Sequence, residues 1–591
     1  MRHELNGKRG RLGLLFAVLL STSAGLAASA ATDRSAADRA AGAIPAMHPA
    51  ASFGAAACAA LAQGRSAAPV RGLVITGIAW HAASSLGRQG TKDAPLPAHC
   101  DIQGYYGDRP RTIGGPYRTG FRMRLPEKWN HRFFFQGGGG SNGVVGDAAG
   151  YNGAGNPLAL DRGYAVIAQD SGHDNARNTV ADHGGDLVFG FDPEARADYG
   201  HASLKPSYDL GRWLVRRAYG QDPAKNVFWG CSKGGQEGMA FAQRYPRAFD
   251  GIVAMAPGFA LPRAAVAEAW DTQQIASIVT ASGRTPSVAA LKTAIGAAQF
   301  QTISQAVLSA CDRLDGSQDG MIAAIGQCTT ARVLPELEKR ECVPGASDAA
   351  CLKPAQVQAL VRIMDGARDR SGKALYAPWP WDAGVGVSGW QLWKVGLENG
   401  PPALNVALGA GSLAAVFTTP PTALSGDPDK LLAWQLAFDF DRDAPKIYAV
   451  VPPYTSSAWQ DVGMRSPDLS AFAAHGGKLI VPHGMSDPVF SAYDTIAWWN
   501  EVNARNGGKA ADFVRVFPVP GMNHCGGGPA TDRFDSLSAL ETWLSSGKAP
   551  DAIPARAGPD TPWPGRERPL CAYPDMAVAD KGGAFICRKA H

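Results

Sequence analysis

The stretch VFWGCSKGGQEGM, residues 227–239, decides the fold. An apolar run leads into Gly230-Cys231-Ser232-Lys233-Gly234, which fits G-x-S-x-G, and the helix-forming QEGMAFAQRY follows. A serine in a sharp strand-to-helix turn is a nucleophile elbow: the turn strains the middle residue and tolerates only small neighbours, which Gly230, Gly234 and Gly235 supply. By position the nucleophile is Ser232, and Cys231 stands beside it for another reason.

Outward from the elbow, short apolar runs alternate with helical stretches. RFFFQ (132–136), GYAVIAQD (163–170), VFW (227–229) and DGIVAMAP (250–257) read as strands, and residues 206–219 read as a helix between them. Such alternation predicts an α/β fold with a mainly parallel sheet covered on both faces. It stops near Phe259 and resumes at GGKLIVPHG (476–484) and DFVRVFPVPG (512–521). The expected organisation is therefore an α/β-hydrolase core in two parts, 31–258 and 466–591, with a large lid, 259–465, inserted between late strands.

In this fold the acid and the base follow the serine along the chain. Of the twelve histidines only His475, His483, His524 and His591 come after Ser232. His524 lies in PGMNHCGGG (520–528), a loop directly after the last predicted strand, and is the expected base. Asp487, after the preceding strand, is the expected acid; Asp494, at the start of a predicted helix, is second to it. His483 is either a pocket residue or a structural one. The oxyanion hole is expected to combine the Lys233 amide with one from FFQGGGGSNG (134–143), with Gly140 first and Gly138 and Gly139 next.

Ten cysteines, an even number, suggest five disulfides and an oxidising compartment. Neighbour pairing gives Cys58–Cys100, Cys311–Cys328, Cys342–Cys351 and Cys571–Cys587, which leaves Cys231 and Cys525. If His524 reaches Ser232, these last two are forced together, and a disulfide would join the catalytic loops. The N-terminus fits export: Arg2, Lys8, Arg9 and Arg11 precede the apolar run 12–20 and the small residues 27–31, a signal peptide over residues 1–30 with cleavage near Ala30. The apolar run is too short to span a bilayer, so no membrane association is expected after cleavage. Loss of those four basic residues and Glu4 lowers the formal net charge from +5 to +2, and no nucleic-acid-binding pattern remains.

CDRLDGSQDGMIAAIGQC, residues 311–328, holds Asp312, Asp315 and Asp319 in a glycine-punctuated loop. Hard carboxylates converging in a turn suit Ca²⁺, although Ala323 stands where an EF-hand would carry its bidentate glutamate.

Cys231-Ser232, Asp487 and His524-Cys525, together with SGHDNA (171–176), FDGIVAMAPG (249–258), HGMSDPVFSA (483–492) and VPGMNHCGGGPATDRFD (519–535), resemble the tannase and feruloyl esterase family, which includes hydrolases of mono(2-hydroxyethyl) terephthalate. The resemblance runs from about Cys58 to Cys587. It implies an α/β-hydrolase with a lid, a disulfide linking the catalytic loops, and structural Ca²⁺ held by the three aspartates and the carbonyls of Ser317 and Met321. In the terephthalate branch a lid arginine holds the substrate carboxylate, whereas ALNVALGAGSLAAVF (403–417) has no basic residue. The expected substrate is a small aromatic ester, hydroxycinnamoyl before galloyl, its ring sandwiched by Trp390 and Phe490. A terephthalate half-ester hydrolase and a non-catalytic phenolic-binding protein are the rivals.

Overall fold

The computed structural model describes residues 53–63, 67–83, 96–110, 112–343 and 349–589. The expected signal peptide lies outside these residues. Nine strands form the main sheet: β1 (Val74–His81), β2 (His99–Tyr106), β3 (Thr119–Pro126), β4 (Arg132–Gln136), β5 (Ala165–Gln169), β6 (Lys225–Ser232), β7 (Gly251–Pro257), β8 (Lys478–Gly484) and β9 (Val514–Val519). Their spatial order is β1-β2-β3-β5-β4-β6-β7-β8-β9. The strands from β5 to β9 run parallel, and β1, β2 and β3 extend the sheet antiparallel on one side.

Burial follows from this layout. Phe133, Phe134 and Phe135 of β4 are all fully buried, because a central parallel strand is covered on both faces. Phe135 meets the rings of Phe228, Phe241 and Phe249, which fastens the helix Lys233–Arg244 under the sheet. The sheet begins earlier in the chain than the apolar runs suggest. Strand β1 is partly exposed along its length, so it lacks the continuous apolar signal of the central strands; it is tied in through β2, whose Cys100 bonds to Cys58.

Between β7 and β8 the chain forms helices instead of strands, among them Leu261–Ala281, Ala297–Cys311, Pro354–Met364, Ser388–Lys394 and Pro428–Leu436. They sit against the sheet's loop side. Buried Arg196 reaches Asp461 at 2.8 Å, and Lys394 donates to the Pro488 carbonyl at 2.7 Å. This is the α/β-hydrolase architecture, with its insertion between late strands. All five disulfides pair as the spacing predicts. Among the described residues no helix is long and apolar enough to cross a membrane.

Candidate active site

Strand β6 ends at Ser232, whose φ of 64° and ψ of −121° put a non-glycine residue in the strained conformation of an elbow. The glycines are required by contact. A Cβ on Gly230 would lie 2.6 Å from the Gly234 carbonyl, and one on Gly234 would lie 2.6 Å from the Gly138 oxygen. Lys233 is the first residue of the following helix, so its amide has no intrahelical acceptor.

Asp487 follows β8 and His524 follows β9. Their side chains meet, with His524 Nδ1 2.8 Å from Asp487 Oδ2. Asp487 is buried, and its other oxygen accepts the amides of Val489 and Phe490 at 2.8 and 3.1 Å. Burial by itself would raise its pKa, but the charge and hydrogen bond of His524 and the hydrogen bond of His483 outweigh that and hold it below the ordinary carboxylate range. Cys231 and Cys525 form a disulfide across 294 residues with Cα atoms 6.0 Å apart. The immediate neighbours of Ser232 and His524 are therefore covalently joined. Asp494 lies elsewhere, paired with Arg465 at 2.7 Å.

Two expected pocket residues are displaced. His483 is buried behind Asp487, its ring nitrogens 2.8 Å from Thr495 Oγ1 and 3.0 Å from the Phe490 carbonyl, and it is not among the residues that wall the pocket. Trp390 is also buried, with the Lys394 ammonium 5.1 Å from its ring. Its neighbour one turn on, Trp393, lines the pocket in its place. Phe490 does line it, and the rings of Trp393 and Phe490 lie 6.2 and 5.3 Å from that of His524.

The pocket is walled by Gly140, Ser232, Lys233, Trp393, Phe417 and Phe490, among others. A larger cleft, between residues 321–327 and 568–577, contains none of the residues expected to catalyse. Gly138 is occupied, since its amide donates to Glu237 Oε2 at 3.0 Å, whereas Gly140 stands at the pocket wall with φ of 58°. Glu237 belongs to no motif of the sequence. Fully buried, it also accepts from Asn142 Nδ2 at 2.9 Å, Lys233 Nζ at 3.1 Å, Ser171 Oγ at 3.3 Å and Gln169 Nε2 at 3.4 Å. It thereby binds the glycine loop, the elbow helix and the end of β5 to one another. Its sequence signal is a Lys–Glu pair spaced i, i+4 in the first turns of the elbow helix.

The acidic loop offers the donor chemistry Ca²⁺ prefers. Among the described residues nothing donates to the carbonyls of Ser317 or Met321, and Met321 is fully buried. The carboxylates are nonetheless engaged: Asp312 accepts the Gly320 amide at 3.0 Å, and Arg568 reaches Asp315 at 3.0 Å and Asp319 at 2.6 Å. Among the described residues no three metal-ligating side chains draw together around one centre. The loop thus carries suitable oxygens, and its charge is already partly met by arginine.

Residues 115–590 match the family described as tannase and feruloyl esterase. The chain is 42% identical to a mono(2-hydroxyethyl) terephthalate hydrolase of Piscinibacter sakaiensis, over 82% of this chain and 83% of that one. It is 28% identical to a probable feruloyl esterase of Arthroderma benhamiae, over 79% and 82% of the two chains. Feruloyl esterase B from Aspergillus oryzae superposes with a TM-score of 0.69 at 21% identity, covering 90% of this chain and all of that one, which bears on the fold. The chain belongs to the tannase and feruloyl esterase family and is a carboxylic ester hydrolase.

Proposed function

We propose that the protein is an exported serine esterase of aromatic carboxylic esters, hydroxycinnamoyl esters of the feruloyl type before galloyl ones. Ser232 Oγ attacks the ester carbonyl while His524 takes its proton, and His524 returns that proton to the leaving alcohol. Asp487 orients the imidazole and stabilises its cation. The amides of Lys233 and Gly140 receive the oxyanion, and water then hydrolyses the acyl-enzyme by the same steps. The pocket carries this reading: Trp393, Phe417 and Phe490 form aromatic walls, and Lys233, the cation lining it, is held by Glu237. Five disulfides support a periplasmic or extracellular site of action.

A second reading, a half-ester hydrolase of terephthalate, is favoured by the 42% identity to the Piscinibacter enzyme. Against it stands the absence of basic residues in 403–417. Rates for methyl ferulate, methyl gallate and mono(2-hydroxyethyl) terephthalate, each beside Ser232→Ala, separate the readings. Ferulate turnover far ahead of the half-ester supports the first, and the reverse order replaces it with the second.

Structural Ca²⁺ belongs to the same proposal. Asp312, Asp315 and Asp319 with the Ser317 and Met321 carbonyls would hold it, and it would brace the lid loop closed by Cys311–Cys328 without entering the reaction.

A further inference from the structure

The helix Leu261–Ala281 leaves β7 and turns one stripe toward the pocket: Leu261, Ala264, Ala265 and Glu268, spaced i, i+3, i+4, i+7. A glutamate ending an apolar stripe demands a partner, because an unpaired buried carboxyl is costly. Glu268 is 5% exposed, and among the described residues nothing donates to its carboxyl. Its position is fixed by shape: a Cβ on Gly409, in the facing lid segment, would lie 2.0 Å from Glu268 Oε2. The nearby Lys394 is spent on Asp271 Oδ2 and the Pro488 carbonyl, both at 2.7 Å.

We propose that the Glu268 carboxyl is the hydrogen-bonding end of the substrate pocket, pairing with a hydroxyl on the aromatic acyl ring and selecting phenolic acyl groups. This rests on the aromatic-ester reading above and supplies its specificity residue. Burial pushes the pKa of Glu268 up to about 8; Lys394 opposes the rise, and Asp271 and Asp487 add to it. At neutral pH the group is thus a neutral acid, one donor and one acceptor, which matches a phenol in both directions. A carboxylate entering the same pocket would be desolvated with no free cation among the described residues to meet it, since Lys233 and Lys394 are each committed to a carboxylate.

The test compares kcat/KM for methyl 4-hydroxycinnamate and methyl cinnamate, which share the leaving group and differ by the ring hydroxyl, with p-nitrophenyl acetate as a general esterase substrate. The wild type is expected to favour the phenolic ester by about tenfold. Glu268→Leu should bring that ratio near one, and Glu268→Gln, which keeps a donor and an acceptor, should preserve most of it. Gly409→Ala, which displaces the carboxyl without altering it, should lower the ratio as well and carries the test if the leucine variant does not fold. Both cinnamates cleaved at equal rates by the wild type, or a ratio unmoved by Glu268→Leu, overturns the inference and leaves the esterase reading standing. Cleavage of p-nitrophenyl acetate with neither cinnamate touched overturns the aromatic-ester reading and this inference with it.

Discussion

Two buried glutamates flank Ser232, and the fold treats them in opposite ways. Glu237, on the elbow helix, is saturated: a backbone amide, an asparagine, a glutamine, a serine and the Lys233 ammonium all donate to it. The carboxyl of Glu268, on the first lid helix, accepts nothing from the described residues and faces the pocket. The first carboxyl consumes its hydrogen bonds in holding the glycine loop in place. The second keeps its own for something that arrives. Burial alone therefore does not distinguish a structural acid from a recognising one; the count of donors does.

The sharpest way to break this contrast is to disarm the saturated member. Glu237→Leu should lower kcat about 100-fold by loosening the glycine loop that carries Gly140, while KM for methyl ferulate moves less than about threefold. Glu237→Gln, which still accepts, should recover part of the loss. A fall expressed wholly in KM would make Glu237 a binding residue like Glu268. Next in size is the covalent tie. Replacing both Cys231 and Cys525 by serine should cost about tenfold in kcat, with a lower melting temperature, because the disulfide limits how far base and nucleophile separate. Unchanged kcat would assign the bond to stability alone.

The unsatisfied member should show itself in the pH dependence of stability. The folded protein holds a proton on Glu268 up to about pH 8, whereas the unfolded chain releases it near 4.5. Rising pH through that window therefore costs stability in the wild type. Glu268→Gln lacks this cost, so its melting temperature should exceed the wild-type value by a margin that grows to a few degrees from pH 5 to pH 8 and then stays level. A margin that is constant across the window would mean that Glu268 ionises normally. The smallest effect concerns the acidic loop. Chelation with EGTA should lower the melting temperature by about two degrees, a modest shift because Arg568 already neutralises part of the charge. No shift would leave the loop closed by arginine without Ca²⁺.

Much of the fold is legible because it is written locally. The strand-turn-helix at 227–239 identifies the elbow, and the central strands announce themselves as apolar runs. Asp487 and His524 follow from chain order, and Cys231 with Cys525 from the proximity that order implies. What stays illegible depends on rotation and neighbours. Trp390 and Trp393 share one short helix, and only packing decides which ring reaches the pocket. His483 lies one strand-end away from Asp487 and turns behind it. Glu237 follows Lys233 at i, i+4 and Glu268 precedes Asp271 on its helix, but nothing in either sequence tells how many donors the fold brings to each. Strand β1 escapes notice because an exposed edge strand has no continuous apolar run, and β2 because polar His99 and Asp101 interrupt its buried half.

The most direct test of the central claim, that Ser232 carries an aromatic acyl group through turnover, is to quench the enzyme in acid during hydrolysis of methyl ferulate and locate the adduct by peptide mass mapping. The account predicts one feruloyl group on the peptide containing Ser232, absent from Ser232→Ala. Steady turnover with Ser232 unmodified and the adduct elsewhere, or turnover that persists in Ser232→Ala, would contradict it.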